Sequence, residues 1–314
     1  ALGYQALEAN TIGHSNVALG TNSLIANTTG ITNVAVGRNA LDANTTASAN
    51  TAVGYAALGL NTTGTQNVAV GGLALDANTT ASYNTAVGYA TLTANTTGAS
   101  NVAMGRNALL VNTVGYSNVA IGVLSLTANT DGFDNTAVGR DAGGAVTTGD
   151  NNSFLGHDAG ITGSPGGAIT TADNQMCLGD ENIANAHIQV DWTVASDKRD
   201  KTEVTPLVMG LDFINKLEPV TYRWDKRSKY SKDQDVTPDG THKEAQLDVG
   251  FLAQDVEELE KEYGFNFEDK TNLTTNISDD EKMYGLKYSK FVPALVKAVQ
   301  ELTAKVKELE GKLV

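Results

Sequence analysis

A turn of alternating charge, Ala195-Ser196-Asp197-Lys198-Arg199-Asp200-Lys201, sets one hydroxyl five residues from a lysine amine, with an arginine and a second lysine between them. A lysine accepts a proton only when neutral, and burial or neighbouring cations are what lower its pKa. Lys198 and Arg199 either supply such charge to Lys201 or lie solvated. Taken in isolation the segment reads as a polar turn with a surface lysine. Other reactive side chains are sparse. The single cysteine, Cys177, forms no internal disulfide and no multi-cysteine zinc site, and His14, His157, His187 and His242 are too scattered to suggest a metal cluster by spacing. No metal and no cofactor are expected.

The elements that must position this turn differ on its two sides. Residues 1–196 hold 3 Lys+Arg and 12 Asp+Glu, whereas 197–314 hold 19 and 24. That step in charge density marks a domain boundary. Before it the chain is rich in Gly, Ala, Asn, Thr and Val; after it comes the mixture of Leu, aromatic and charged residues of an ordinary globular domain. A net charge of -14 argues against a nucleic-acid partner or a basic membrane patch. No window approaches the roughly 18 apolar residues of a spanning helix, so no membrane insertion is expected. The chain has no initiator Met and is read as a piece of something longer.

A seventeen-residue repeat fills the first part. Glycine recurs at 3, 20, 37, 54, 71, 88, 105, 122, 139 and 156, with asparagine four residues earlier from Asn16 to Asn152. A unit such as Asn33-Val34-Ala35-Val36-Gly37-Arg38-Asn39-Ala40-Leu41, closed by an Asn-Thr-Thr turn, is too short to bury a face alone. Stacking supplies what one unit lacks, which predicts a parallel β-solenoid. With strands about 4.8 Å apart, ten rungs span about 45 Å. Two columns are expected to fill a thin core: an aliphatic one (Leu19, Val36, Val53, Val70, Val87, Met104, Ile121, Val138, Leu155) and a leucine one (Leu7 through Leu126, each after Ala, Ser or Thr). The asparagines are expected to hydrogen-bond from rung to rung, and the glycine to need positive φ or close backbone approach.

These units resemble the head repeats of trimeric autotransporter adhesins over about residues 1–160, which implies three parallel β-rolls packed side by side. The period is longer here, because the Asn-Thr-Thr-Gly segment lengthens one turn. The repeat degenerates after Gly156; Gly143 replaces the column leucine, and the next glycine in register, Gly179, comes 23 residues later. Residues 161–195 are therefore read as a capping and connecting segment. The position after each glycine varies (Tyr4, Thr21, Arg38, Tyr55, Gly72, Tyr89, Arg106, Val123, Arg140, His157) and suits an outward ridge, either a solvated edge or a contact for a host-surface glycan or receptor. The calcium-binding Gly-Gly-x-Gly-x-Asp pattern is absent.

Beyond the boundary come Gly210-Leu211-Asp212-Phe213-Ile214-Asn215-Lys216-Leu217-Glu218-Pro219-Val220-Thr221-Tyr222-Arg223-Trp224, then Gly250-Phe251-Leu252-Ala253-Gln254-Asp255-Val256, then Tyr288-Ser289-Lys290-Phe291-Val292-Pro293-Ala294-Leu295. With the 195–201 turn before them, these ordered blocks resemble the peptidase S74 family, the intramolecular chaperone domain of phage tail fibres, tailspikes and endosialidases, over roughly residues 190–314. The resemblance implies an α+β domain at 196–314 that trimerises, assists folding of the fibre before it and then cuts itself off in a single turnover. Carried onto this chain it makes Ser196-Asp197 the scissile bond, Ser196 the catalytic serine, Lys201 its basic partner and Arg199 an auxiliary cation. It also implies a virion tail fibre folded in the host cytoplasm before assembly. A serine attacking the carbonyl of its own residue closes a strained four-membered ring, so attack from a neighbouring chain or by an activated water stays open. Phe213, Leu217, Tyr222, Trp224, Phe251 and Leu252 are expected to be core.

Val292, Leu295, Val299, Leu302, Val306, Leu309 and Leu313 alternate at three and four, the a and d positions of a coiled coil over 289–313, with Lys305 at g and Glu310 at the following e. β-Branched a with Leu d leans to dimers, while the resemblance implies a homotrimer, and a short helix follows the domain to which it is fused. The expected protein is thus a trimeric parallel β-roll followed by an α+β chaperone domain ending in a coiled-coil helix. The competing reading is a trimeric surface adhesin or ice-binding shaft with a trimerisation cap that never cuts.

Overall fold

The computed structural model describes every residue except 165, 190, 191, 232, 233, 279, 280 and 314, so residues 165, 190 and 191 of the expected connecting segment lie outside the described residues. The chain forms two compact units, Ala1–Ile183 and Ala184–Val314.

In the first unit ten three-residue strands, from β1 (Val17–Leu19) to β9 (Ser153–Leu155) and β10 (Met176–Leu178), form one parallel sheet in sequence order. Register advances one repeat per strand, Val17 opposite Val34 and Val34 opposite Thr51, and it survives the longer step by which Met176 meets Ser153. This is the parallel β-solenoid that the period predicts. From β1 to β9 each strand stops where the glycine needs both features expected of it. Gly71 has φ +138°, and a Cβ there would lie 2.2 Å from the Gly88 carbonyl oxygen of the next rung.

The core differs from expectation in one column. Side chains alternate along a strand, so only the middle residue of three faces inward. That residue is alanine (Ala18, Ala35, Ala52 and on to Ala137), then Phe154 and Cys177, all buried. The aliphatic column expected inside therefore points outward and stays half-exposed, with Leu19 43% and Met104 42% accessible. A rung this thin has room for a methyl opposite the leucines but not for valine as well. The leucine column is buried as expected from Leu24 to Leu126. These leucines have φ between 48° and 53°. A left-handed leucine costs roughly 1–2 kcal/mol, and complete burial of the side chain, about 1.5–3 kcal/mol, offsets it.

Asparagine forms two ladders. In the expected one, the Asn50 backbone N–H donates to Asn33 Oδ1 at 3.0 Å while Asn50 Nδ2 donates to the Gly64 carbonyl at 2.8 Å. The second runs through the Asn-Thr-Thr turns, where Asn78 Nδ2 donates to Asn61 Oδ1 at 2.9 Å and to the Ala81 carbonyl at 3.1 Å. Both sets satisfy turn groups that no strand partner reaches.

The second unit contains helices α1 (Leu211–Lys216), α2 (Ala253–Glu262) and α3 (Phe291–Lys312) and two antiparallel pairs, β11 (Val220–Tyr222) with β12 (Asp248–Gly250) and β13 (Thr275–Ile277) with β14 (Tyr284–Leu286). Its core is Met209, Phe213, Val256, Leu259, Phe291 and Ala294. Glu260 is buried, yet its carboxylate accepts from the Thr274 N–H and from the hydroxyls of Thr274 and Thr275, which ties α2 to β13. Of the residues expected in the core, Phe213 is buried and Leu217, Tyr222 and Phe251 are half-buried, but Trp224 and Leu252 are exposed at 49% and 48%. The Trp224 indole lies edge-on to Tyr222 and donates to Asp248, so it rests on the β11–β12 pair rather than beneath it. Helix α3 uses Phe291, Ala294 and Ala298 inward, and Glu301 accepts the Leu211 N–H of α1 at 2.8 Å. Its Val292 to Leu313 seam is exposed on this chain at 45–88%.

Candidate active site

The 195–201 turn is built by its own charges. Asp197 caps a single 3-10 turn at Lys198–Asp200, its Oδ1 accepting the Arg199 N–H at 2.9 Å. The Arg199 guanidinium grips the same carboxylate through Nε at 3.1 Å and Nη2 at 2.6 Å. Those bonds hold the Asp197 carboxyl below the usual carboxylate range and raise the Arg199 pKa. The Lys201 N–H then donates to the Lys198 carbonyl at 3.3 Å, and this tight return carries the lysine side chain back along the turn. Lys201 Nζ donates to Ser196 Oγ at 2.6 Å.

The structure thus brings Lys201 to Ser196 and Arg199 to Asp197. Arg199 spends its charge on Asp197. In this geometry the lysine is a donor to the serine oxygen, and for base catalysis the hydrogen bond must reverse. All four residues are exposed on the single chain.

Elsewhere the solenoid assembles a cluster that spacing alone did not suggest. The 17- and 23-residue steps stack His157 between Arg140 and Asp180, so His157 Nδ1 lies 3.1 Å from Asp180 and Nε2 3.2 Å from Asp158, while Arg140 pairs with Asp141 at 3.0 Å and with Asp158 at 3.5 Å. Burial pushes the Asp158 carboxyl up, whereas Asp180 is held low by hydrogen bonds from Asn182 and His157 that outweigh its burial. The signal lay in the repeat register, since Arg140 and His157 occupy the same ridge position one rung apart. One nitrogen of His157 and one carboxylate oxygen each of Asp158 and Asp180 lie within 4.8 Å of one another, a spacing that could hold a cation, and the Arg140 guanidinium lies alongside them.

Among the described residues no helix is long and apolar enough to cross a membrane. No curated protein and no solved structure matches the chain. Residues 196–265, a stretch that starts at the serine of the charged turn and runs through the β11–β12 pair and α2, match the Peptidase S74 family, described as the chaperone of endosialidase.

Proposed function

We propose that the chain is a segment of a homotrimeric phage tail fibre or spike, whose second unit aligns three chains as an intramolecular chaperone and then cleaves itself off between Ser196 and Asp197. The observation that carries this reading is the coincidence of two independent features at one place: the family match begins at Ser196, and Lys201 Nζ sits 2.6 Å from its hydroxyl. Two exposed apolar surfaces support assembly with further copies. One is the α3 seam; the other is the outward aliphatic column of the solenoid sheet. For the pair to act, the Lys201 amine must accept the Ser196 proton in place of donating to its oxygen.

In this reading the lysine activates a neighbouring chain's serine or a water against the Ser196 carbonyl; water is added across the 196–197 peptide bond, directly or through an ester on that serine, so that Ser196 ends in a carboxylate and the Asp197 nitrogen leaves as a new N-terminal amine. No cofactor is needed. The exposure of the pair on one chain favours the competing reading, a trimeric adhesin or ice-binding shaft with a cap that never cuts, and one experiment separates the two. On a denaturing gel and by intact mass, the wild type should release the fragment from Asp197 to Val314, whereas Ser196→Ala and Lys201→Met should stay at 32.8 kDa. An uncut wild type that is nonetheless trimeric by light scattering would leave only the adhesin or shaft reading. A monomer would remove both.

A further inference from the structure

The three lysines and arginines of residues 1–196 are Arg38, Arg106 and Arg140, and all three fall at the same position of the repeat, immediately after the rung glycine. Arg140 is neutralised by Asp141 and Asp158. Among the described residues Arg38 and Arg106 make no ion pair. Between them, one rung at a time, stand Tyr55, Gly72 and Tyr89, so five consecutive rungs read Arg, Tyr, Gly, Tyr, Arg about a central glycine. Tyr55 and Tyr89 are 53% and 58% exposed. The Arg38 guanidinium lies 6.0 Å from the Tyr55 ring centre, and a Cβ at Gly72 would touch the Tyr89 ring at 3.6 Å. The absence of a side chain at Gly72 therefore leaves the face of the ridge open beside the Tyr89 ring.

We infer that this ridge is a binding surface for a linear polysaccharide carrying sparse carboxylates. Its backbone is rigid: the Arg38 carbonyl accepts the Ala56 N–H at 3.0 Å, Tyr55 that of Leu73 at 2.8 Å, Gly72 that of Ala90 at 3.0 Å and Tyr89 that of Asn107 at 3.1 Å. Little order has to be gained on binding. Rungs about 4.8 Å apart place the two tyrosines about 10 Å apart and the two arginines about 19 Å apart, spacings on the scale of one and two disaccharides. Apolar sugar faces stack on aromatic rings, and a guanidinium fork matches a carboxylate bidentately. The only carboxylates between Glu8 and Asp131 are Asp42 and Asp76, which sit in another column four residues beyond the ridge, and burial raises both pKa values. The ridge therefore faces a ligand with its cations foremost. A dense polyanion such as single-stranded nucleic acid also stacks on aromatics, but it requires a cation for most of its phosphates. Two free arginines on a chain of net charge -14 do not meet that need.

The inference depends on neither trimer formation nor cleavage. Calorimetric titration of the full chain with oligosaccharides of hyaluronan, unsulfated chondroitin and heparosan, each carrying one carboxylate per disaccharide, tests it, with dextran and oligo(dT) as comparators. At least one acidic glycan should bind, more weakly as salt rises. Tyr55→Ala/Tyr89→Ala and Arg38→Gln/Arg106→Gln should each weaken that binding about tenfold or more, with the far-ultraviolet circular dichroism unchanged because these side chains lie outside the core. No binding to any of the three, equal binding of dextran, tighter binding of oligo(dT), or binding that survives both double variants would overturn it.

Discussion

Asn67 gives the sharpest test of how the solenoid is held together. It is fully buried, and its amide makes three bonds: Nδ2 to the Ala81 carbonyl at 2.9 Å, Nδ2 to Asn50 Oδ1 at 3.2 Å, and Oδ1 from the Asn84 N–H at 3.0 Å. Asn67→Ala leaves the buried Asn84 N–H without a partner, while the Ala81 carbonyl keeps its bond from Asn78 Nδ2 at 3.1 Å. At about 1–3 kcal/mol for the one orphaned group, the loss is about 1–3 kcal/mol. Thr63→Ala, on an exposed turn position, should cost less than about 0.5 kcal/mol. Urea melts report the totals, and hydrogen exchange localises them, because the Asn84 amide should lose protection while rungs several repeats away keep theirs. Asn67→Asp keeps the acceptor for Asn84. Its folded-state pKa must lie above the unfolded value of about 3.9 because a buried carboxylate is disfavoured and only the acid form donates to Ala81. Its stability should therefore be near wild type in acid and fall as pH rises past about 4 toward the folded pKa. If Asn67→Ala loses under about 1 kcal/mol, or if Asn67→Asp is insensitive to pH, the ladder is not what joins the rungs.

Adjacent glycines should behave oppositely. Gly71→Ala places a Cβ 2.2 Å from a backbone oxygen at φ +138°, which costs about 3 kcal/mol or more, while Gly72→Ala meets the Tyr89 ring at ordinary contact and should be nearly silent in a thermal melt. In the second unit the Glu301 carboxyl is held below its usual 4.5 by the Leu211 N–H that it accepts. The stability it supplies is present above about pH 4.5 and is lost as pH falls through the lowered folded value, so Glu301→Gln should flatten the acid limb of the melting temperature against pH.

How much of this was legible in the sequence depends on what sets each feature. The rung period was plain, because parallel stacking in register demands the same backbone at the same position in every repeat, and Gly71 and Asn67 satisfy that demand with residue types that stand out. The inside and outside of the strand were read wrongly. Alanine looks like a spacer between two valines, and nothing in a three-residue strand says which parity faces in until the leucine column opposite is known to lie in a left-handed turn that takes up the available width. Trp224 and Leu252 are expected in the core as members of the blocks that carry the resemblance, yet the β11–β12 pair has one open face on this chain. For the candidate site, the five-residue spacing of Ser196 and Lys201 leaves their proximity undecided. The capping of the 3-10 turn by Asp197 brings the two together, and the Arg199 clamp on Asp197 reinforces it. The pairing of His157 with Asp180 is not legible from spacing, because Asp180 is one rung away only if the 23-residue step is absorbed without loss of register.

The misread column bears on why such a chain would carry a chaperone. Had the valines been inside, each rung would be a closed unit indifferent to its neighbours. With Leu19, Val70, Met104 and Ile121 outside, the sheet offers an apolar face along its whole length, and a face with the same residue type at nearly every rung has almost no means of choosing its register. Shifting one copy against another by a whole rung costs little, since valine meets valine again. Contacts between chains are also distant in sequence, so their formation is slow and competes with mispairing. On the proposed reading the aperiodic second unit supplies what the repeat lacks. Its irregular surface and its helix seam start three chains at the same residue, after which the first rung to pair fixes all the others. Register would then be inherited from one end, and deleting the α3 seam should yield rods of mixed overlap, which cryo-electron micrographs would show as frayed ends in place of a common length.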